Sequence, residues 1–138
     1  MSHLEDSLRA MAGCFEVLSI PYVVMGGLAV RIHALPRPTN DVDFTVLLAR
    51  ERLVEWFNVV EELGYTVPEV YKAGWVDQVA GMPIVKLRTY LEDGLGVDID
   101  VFLAESGFQR SLIERRLRVE VDSYSMYVVT PEDLSTYA

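Results

Sequence analysis

Two short acidic strings could do chemistry: Asp41-Val42-Asp43 and Asp98-Ile99-Asp100. In each, one apolar residue separates two carboxylates. Side chains on a strand alternate with a period of two, so this spacing puts both acids on one face and the apolar residue on the other. Like charges held that close are costly unless a cation sits between them, and carboxylate oxygens favour a hard divalent ion. Magnesium fits best, because it uses one or two carboxylates and takes its other ligands from water and substrate phosphates. A bare Asp-x-Asp is more often only the solvated face of an edge strand. If the two strings lie on adjacent strands, three or four carboxylates meet on one surface. Burial of one of them without a cation would raise its pKa towards that of a general base.

Gly26-Gly27 lies between a strand-like and a helix-like segment. Glycine lets the backbone approach a ligand, and free N–H groups at a helix start favour phosphate, although Gly-Gly also makes ordinary tight turns. Arg37 and Thr39, just before the first acidic string, could reach a phosphate or ribose; Arg37 reads equally well as a surface charge. His33 fits a partly buried structural role better than contact with substrate. Tyr71 and Trp75 are candidates for stacking on a base, whereas Trp56 and Phe57 have helical spacing and read as core.

The elements that must position these residues follow from periodicity and punctuation. Leu4, Leu8, Met11, Phe15 and Leu18 form a helical stripe, with Ser2 as a cap and Pro21 as a stop. Tyr22 to Met25 is a short strand, Leu28 to Leu35 a short helix, Pro36 to Asn40 a loop, and Asp41 to Leu48 a strand. A helix is predicted over Arg50 to Leu63, with Leu53, Trp56, Phe57 and Val60 inward and Gly64 closing it. Tyr65 to Pro83 reads as loop with short strands. Ile84 to Tyr90 and Val97 to Leu103 are strands that pair antiparallel across a Glu92 to Gly96 hairpin loop. A helix over about Glu105 to Arg116 and strands over Leu117 to Val121 and Met126 to Val129 follow. Thr130-Pro131-Glu132-Asp133 is a helix start with a hydroxyl cap, proline in the first turn and acids behind it. Five residues then remain, which predicts that the element this helix partners is missing, truncated or supplied elsewhere.

A chain of 138 residues is the size of one domain and can bury its own core. Half its residues are apolar and 24% are charged, the composition of a folded protein, in an α/β or α+β arrangement of sheet and helices. No apolar run is long enough to span a membrane and the N-terminus lacks a hydrophobic leader, so a cytoplasmic location is the default expectation. Cys14 is the only cysteine, which excludes an internal disulfide framework and a zinc site built on several thiolates. It reads as a small buried residue rather than a nucleophile. A net charge of −9 argues against broad, sequence-independent nucleic-acid binding, which needs a field of Lys and Arg. A small anionic substrate bridged by metal fits.

In order, the strings Val24-Met25-Gly26-Gly27-Leu28-Ala29, Arg37-Pro38-Thr39-Asn40-Asp41-Val42-Asp43 and Val97-Asp98-Ile99-Asp100-Val101-Phe102 resemble the nucleotidyltransferase superfamily of DNA polymerase β. They are most similar to small bacterial nucleotidyltransferase-like proteins, including the abortive-infection type II toxins, in which Arg-x-Thr-x-Asp-hydrophobic-Asp is typical. The tail Val128-Val129-Thr130-Pro131-Glu132-Asp133-Leu134 is similar too, so the resemblance covers nearly the whole chain. It implies a nucleotidyltransferase fold with a mixed central sheet flanked by helices, in one domain over 1–138. It also implies metal-dependent transfer of a nucleoside monophosphate from a nucleoside triphosphate to an acceptor that the sequence does not identify. Asp41 and Asp43 would hold the metals that bridge the triphosphate. Asp100 would complete a two-magnesium site and help deprotonate the attacking hydroxyl, with Asp98 the near alternative. Gly26 and Gly27 would line the phosphates.

The family often continues past Pro-Glu-Asp-Leu with a lysine-bearing helix and further helices that enclose the site; here only Ser135-Thr136-Tyr137-Ala138 follows Leu134. A second subunit, as in a homodimer, would then close the acceptor pocket. Two other readings stand beside the enzyme: a catalytically silent binding module, and a toxin component restrained by an antitoxin partner.

Overall fold

The computed structural model describes residues 3–25, 41–90, 96–121 and 124–137, with side-chain surroundings at all of these except 3, 4, 41, 90, 121 and 135–137. Helix α1 (His3–Val17) buries Leu8, Met11, Ala12 and Phe15, the stripe its three-and-four spacing predicts. Strand β1 (Tyr22–Met25) is buried at every position, as suits a strand covered on both faces. The predicted helix over Leu28 to Leu35 falls outside the described residues. Strand β2 (Asp41–Val46) encloses Val42, Phe44, Thr45 and Val46, while Asp43 is half-buried.

A single 3-10 turn at Arg50–Arg52 leads into α2 (Leu53–Glu62), which buries Leu53, Trp56, Phe57 and Val60. Its end closes at Gly64, where the Gly64 N–H donates to Glu61 O at 3.1 Å and the Tyr65 N–H to Val60 O at 3.0 Å. Gly64 has φ +96°, a left-handed value that a side chain would resist.

The stretch that resists reading from sequence holds α3 (Glu69–Lys72), β3 (Asp77–Val79) and the start of β4 (Met82–Tyr90). β3 and β4 form a hairpin whose two-residue turn, Ala80-Gly81, has φ +52° and +78°. That geometry normally recruits Asn-Gly or Asp-Gly, so Ala-Gly gave little warning of it.

Strand β5 (Gly96–Leu103) pairs antiparallel with β4, as expected, and α4 (Gly107–Glu114) follows, capped by Ser106 Oγ accepting the Gln109 N–H at 3.2 Å. Strands β6 (Leu117–Val121) and β7 (Tyr124–Val128) pair antiparallel, and α5 (Pro131–Tyr137) begins with Thr130 Oγ1 accepting the Asp133 N–H at 3.1 Å.

Among the described residues the strands make one mixed seven-stranded sheet in the order β3-β4-β5-β2-β1-β7-β6. Helices α1 and α2 pack together over an aromatic cluster in which Phe15 stacks on Tyr22 and Trp56, with centroids at 5.7 and 5.8 Å, and meets Phe44 edge-on at 5.1 Å. Such pairs each add about 0.5–1.5 kcal/mol beyond the area they bury. Helix α4 packs against β1 and β2, so the two strands that carry the first acidic string and its neighbour are braced by helices. The acidic strings lie at the Asp41 end of the central strands, while Arg50 and Glu105 pair at the opposite end.

Candidate functional site

Strands β2 and β5 are neighbours, parallel and in register, so Asp41 lies opposite Asp98 and Asp43 opposite Asp100. Residues paired across a sheet share a face. The apolar partners Val42 and Ile99 are fully buried on the other side. Adjacent strands run about 4.8 Å apart, so the four aspartates occupy a two-by-two set of positions along one face of the sheet. Strand β1 ends at Met25, which pairs with Asp43. Gly26-Gly27 therefore follows directly in sequence from the strand end beside the acids. Gly26, Gly27, His33, Arg37 and Thr39 lie outside the described residues, as does the side chain of Asp41.

Sequence reasoning missed two basic residues here. Strand β4 sets Lys86 opposite Asp100 and Arg88 opposite Asp98, so the acidic array is flanked by a basic row on the same face. The Arg88 guanidinium closes on Asp98 as a fork, Nε to Oδ1 at 2.7 Å and Nη2 to Oδ2 at 3.1 Å, with both side chains about half exposed. Arg88 passes beside Gly96, where a Cβ would sit 3.4 Å from its Cδ and Nε. The signal was present as alternation in Lys86-Leu87-Arg88, but it points to the site only once the register with β5 is known. A cleft of about 430 Å³ opens there, lined by Thr66, Pro68, Lys86, Arg88, Asp98 and Asp100 among others.

The outer edge of β4 is held by substitutes for a full strand. The Thr66 N–H donates to Arg88 O at 3.0 Å, and the Lys86 N–H donates to the Tyr71 hydroxyl at 3.0 Å. Tyr71 in turn donates to Asp77 Oδ2 at 2.6 Å, and the Trp75 indole N–H donates to Asp77 Oδ1 at 3.1 Å. Burial, reinforced by the bond to the Asp77 carboxylate, pushes the Tyr71 phenol up to about 12. The same two donors hold the Asp77 carboxyl below its ordinary value. Tyr71 is thus no platform for a base: it is buried and its ring lies on Phe57 at 6.3 Å. Trp75, 62% exposed, keeps an open face.

Cys14 is buried, and burial pushes its thiol up to about 11, eased by the Trp56 indole, so it is inert as a nucleophile. No described helix is long and apolar enough to cross a membrane. Among the described residues no three His, Cys, Asp or Glu side chains converge on one point that could hold a metal ion. Of the described carboxylates in the array, Asp43 and Asp100 pair in register while Asp98 is engaged by Arg88. Their hard oxygen chemistry fits magnesium, and Asp41 would be the third donor.

No family model and no curated protein matches the sequence. Solved structures do match its fold. LnuA, a lincosamide antibiotic adenylyltransferase solved with lincomycin bound, superposes with a TM-score of 0.64 at 15% identity over 96% of this chain and 84% of its own. An antigenic nucleotidyltransferase-like protein from Paracoccidioides brasiliensis gives 0.62 at 19% identity, over 96% of this chain and 63% of its own. A candidate nucleotidyltransferase from Thermotoga maritima gives 0.61 at 12% identity, over 99% and 85%. The chain thus spans less than two thirds of the fungal protein's length. At such identities the likeness is one of fold, and with its mixed seven-stranded sheet flanked by helices the chain has the nucleotidyltransferase fold.

Proposed function

We propose that this protein is a metal-dependent nucleotidyltransferase, moving a nucleoside monophosphate from a nucleoside triphosphate to an acceptor hydroxyl. The observation that carries the reading is the register of Asp41 with Asp98 and Asp43 with Asp100 on two adjacent parallel strands of this fold. Asp41, Asp43 and Asp100 would hold two magnesium ions, which when bound supply charge neutralisation to the entering and leaving oxygens. The triphosphate would take the β1 side of the array, with Gly26 and Gly27, which follow β1 in the chain, lining its phosphates and Arg37 and Thr39 as further phosphate or ribose contacts. Asp100 accepts the acceptor's proton. The acceptor oxygen forms a bond to the α-phosphorus as the α-phosphorus to bridging-oxygen bond breaks, and pyrophosphate leaves with the electron pair. Asp98 does not share this work, because the Arg88 fork already uses both its oxygens.

The test is calorimetric titration of each common nucleoside triphosphate, with and without magnesium, on the wild type and on the double variant Asp41→Ala/Asp43→Ala. Binding that requires both magnesium and the aspartates supports the reading. No binding of any triphosphate by the wild type overturns it. Magnesium-dependent binding without transfer to any acceptor would select a silent nucleotide-binding module instead, and growth inhibition on expression that is lost in Asp41→Ala would identify a toxin.

A further inference from the structure

We infer that the acceptor is a hydroxyl compound that carries a phosphate group, received in the cleft beside β4 with Lys86 as its anion contact. The inference rests on the nucleotidyltransferase reading and deepens it. In the sheet the order is β1, β2, β5, β4. With the triphosphate on the β1 side, in-line displacement puts the attacking oxygen on the opposite side of the α-phosphorus, over β5 and β4. That is where the cleft of about 430 Å³ lies, within the range of small-molecule pockets.

The charges lining the cleft decide what it favours. Asp98 is neutralised by Arg88 through two hydrogen bonds. Asp100 is committed to the divalent site. Lys86 is exposed, and among the described residues its ammonium closes no ion pair, although its charge helps hold the Asp77 carboxyl below its ordinary value. The acceptor side therefore presents an exposed ammonium, a point charge suited to phosphate, and would repel a cationic acceptor. The Tyr71 hydroxyl, bonded to the Lys86 N–H at 3.0 Å, fixes the backbone from which that ammonium extends.

The phosphate could belong to a sugar phosphate or to the end of an oligoribonucleotide, and the experiment separates the two. Ribose 5-phosphate, ribose, a tetrauridylate and uridine are titrated into protein held with magnesium and the α,β-methylene analogue of the bound triphosphate, which cannot transfer. Variants are Lys86→Gln, Lys86→Arg and, as a charge-matched control, Lys72→Gln, whose ammonium pairs with Glu61 at 2.9 Å on the surface. At least one phosphate-bearing probe should bind about tenfold more tightly than its uncharged counterpart. Lys86→Gln should remove most of that preference, Lys86→Arg should keep it, and Lys72→Gln should leave it intact. A preference for ribose 5-phosphate over tetrauridylate assigns a sugar phosphate, and the reverse a nucleic-acid end. Equal binding of charged and uncharged probes, or a preference that survives Lys86→Gln, overturns the inference. Failure of the triphosphate analogue to bind wild-type protein would instead strike the nucleotidyltransferase reading, and the probe titrations still report on Lys86 in that case.

Discussion

Replacing Asp43 by asparagine should stabilise the metal-free protein while abolishing transfer. Asp43 lies opposite Asp100, and the Asp41 and Asp98 pair is two residues along the same strands. Cross-strand charge pairs are worth roughly 0.2–1 kcal/mol, unfavourable when the charges are alike, and Asp43→Asn removes one charge of the Asp43 and Asp100 pair without changing side-chain size. Unfolding entropy near 2.1 cal/mol/K per residue gives a chain of this length about 0.3 kcal/mol/K, so the relief should raise Tm by ~1–3 °C. Magnesium reverses the order. At a hundredfold excess over Kd it should stabilise the wild type by ~2.7 kcal/mol, or ~9 °C, and the variant by much less. The assay is thermal unfolding by circular dichroism, with EDTA and with a magnesium series, read beside nucleotide transfer. A variant less stable than wild type in EDTA would show that Asp43 is a structural group rather than a strained ligand. An equal magnesium shift in both proteins would refute its assignment to the metal.

Three further outcomes follow from the same contacts. Tyr71→Phe strands the Lys86 N–H and removes a donor from Asp77; it should cost about 1–3 kcal/mol, read as a lower urea midpoint at unchanged m. Stability should fall between about pH 10 and pH 12, because Tyr22 and Tyr71 are raised to about 12 in the folded protein while unfolded tyrosine ionises near ~10. The unfolded state then loses protons first, so the stabilisation is complete below pH ~10 and is lost as pH climbs through the folded value; urea midpoints across that range test it. At acid pH the sign is opposite: Arg115 holds the Asp133 carboxyl below its ordinary value, tying α4 to α5 with bonds of 2.9 and 2.8 Å. That contribution is present above pH ~4 and lost as pH falls through the folded value, so Asp133→Asn should flatten the acid limb of a stability profile.

Elements whose residues state their own geometry were legible from sequence. β1 ends where its apolar run ends, α2 closes at Gly64, and the cap at Thr130 does what its hydroxyl suggests, whereas the Ser106 cap starts its helix two residues later than the predicted Glu105. The stretch from Tyr65 to Pro83 was not, for a physical reason. Its hairpin turn is Ala-Gly rather than Asn-Gly, its strand has three residues, and the edge of β4 is completed by single bonds from Thr66 and Tyr71 instead of a continuous ladder. None of these leaves a period to read. Tyr71 remained a candidate for base stacking in the sequence because scattered aromatics and glycines do not reveal burial. The ring is core and only its hydroxyl reaches the sheet edge.

The choice between Asp98 and Asp100 shows where sequence stops. Both acids sit at the same phase of β5, so alternation puts them on the same face and cannot rank them. What separates them is β4. Because β4 runs antiparallel to β5, its two basic residues meet the two acids one to one, and the longer, forked one falls opposite Asp98. An arginine there engages both oxygens of Asp98, whereas Lys86, a single point charge opposite Asp100, cannot occupy that carboxylate in the same bidentate way. The fork also neutralises Asp98, easing its repulsion with Asp100 two residues along the same face. Reversing Lys86 and Arg88 would put the fork on Asp100 and leave the lysine beside Asp98, with the same composition and the same alternation. The order Lys-Leu-Arg along β4, rather than the presence of either base, therefore determines which aspartate the arginine fork engages.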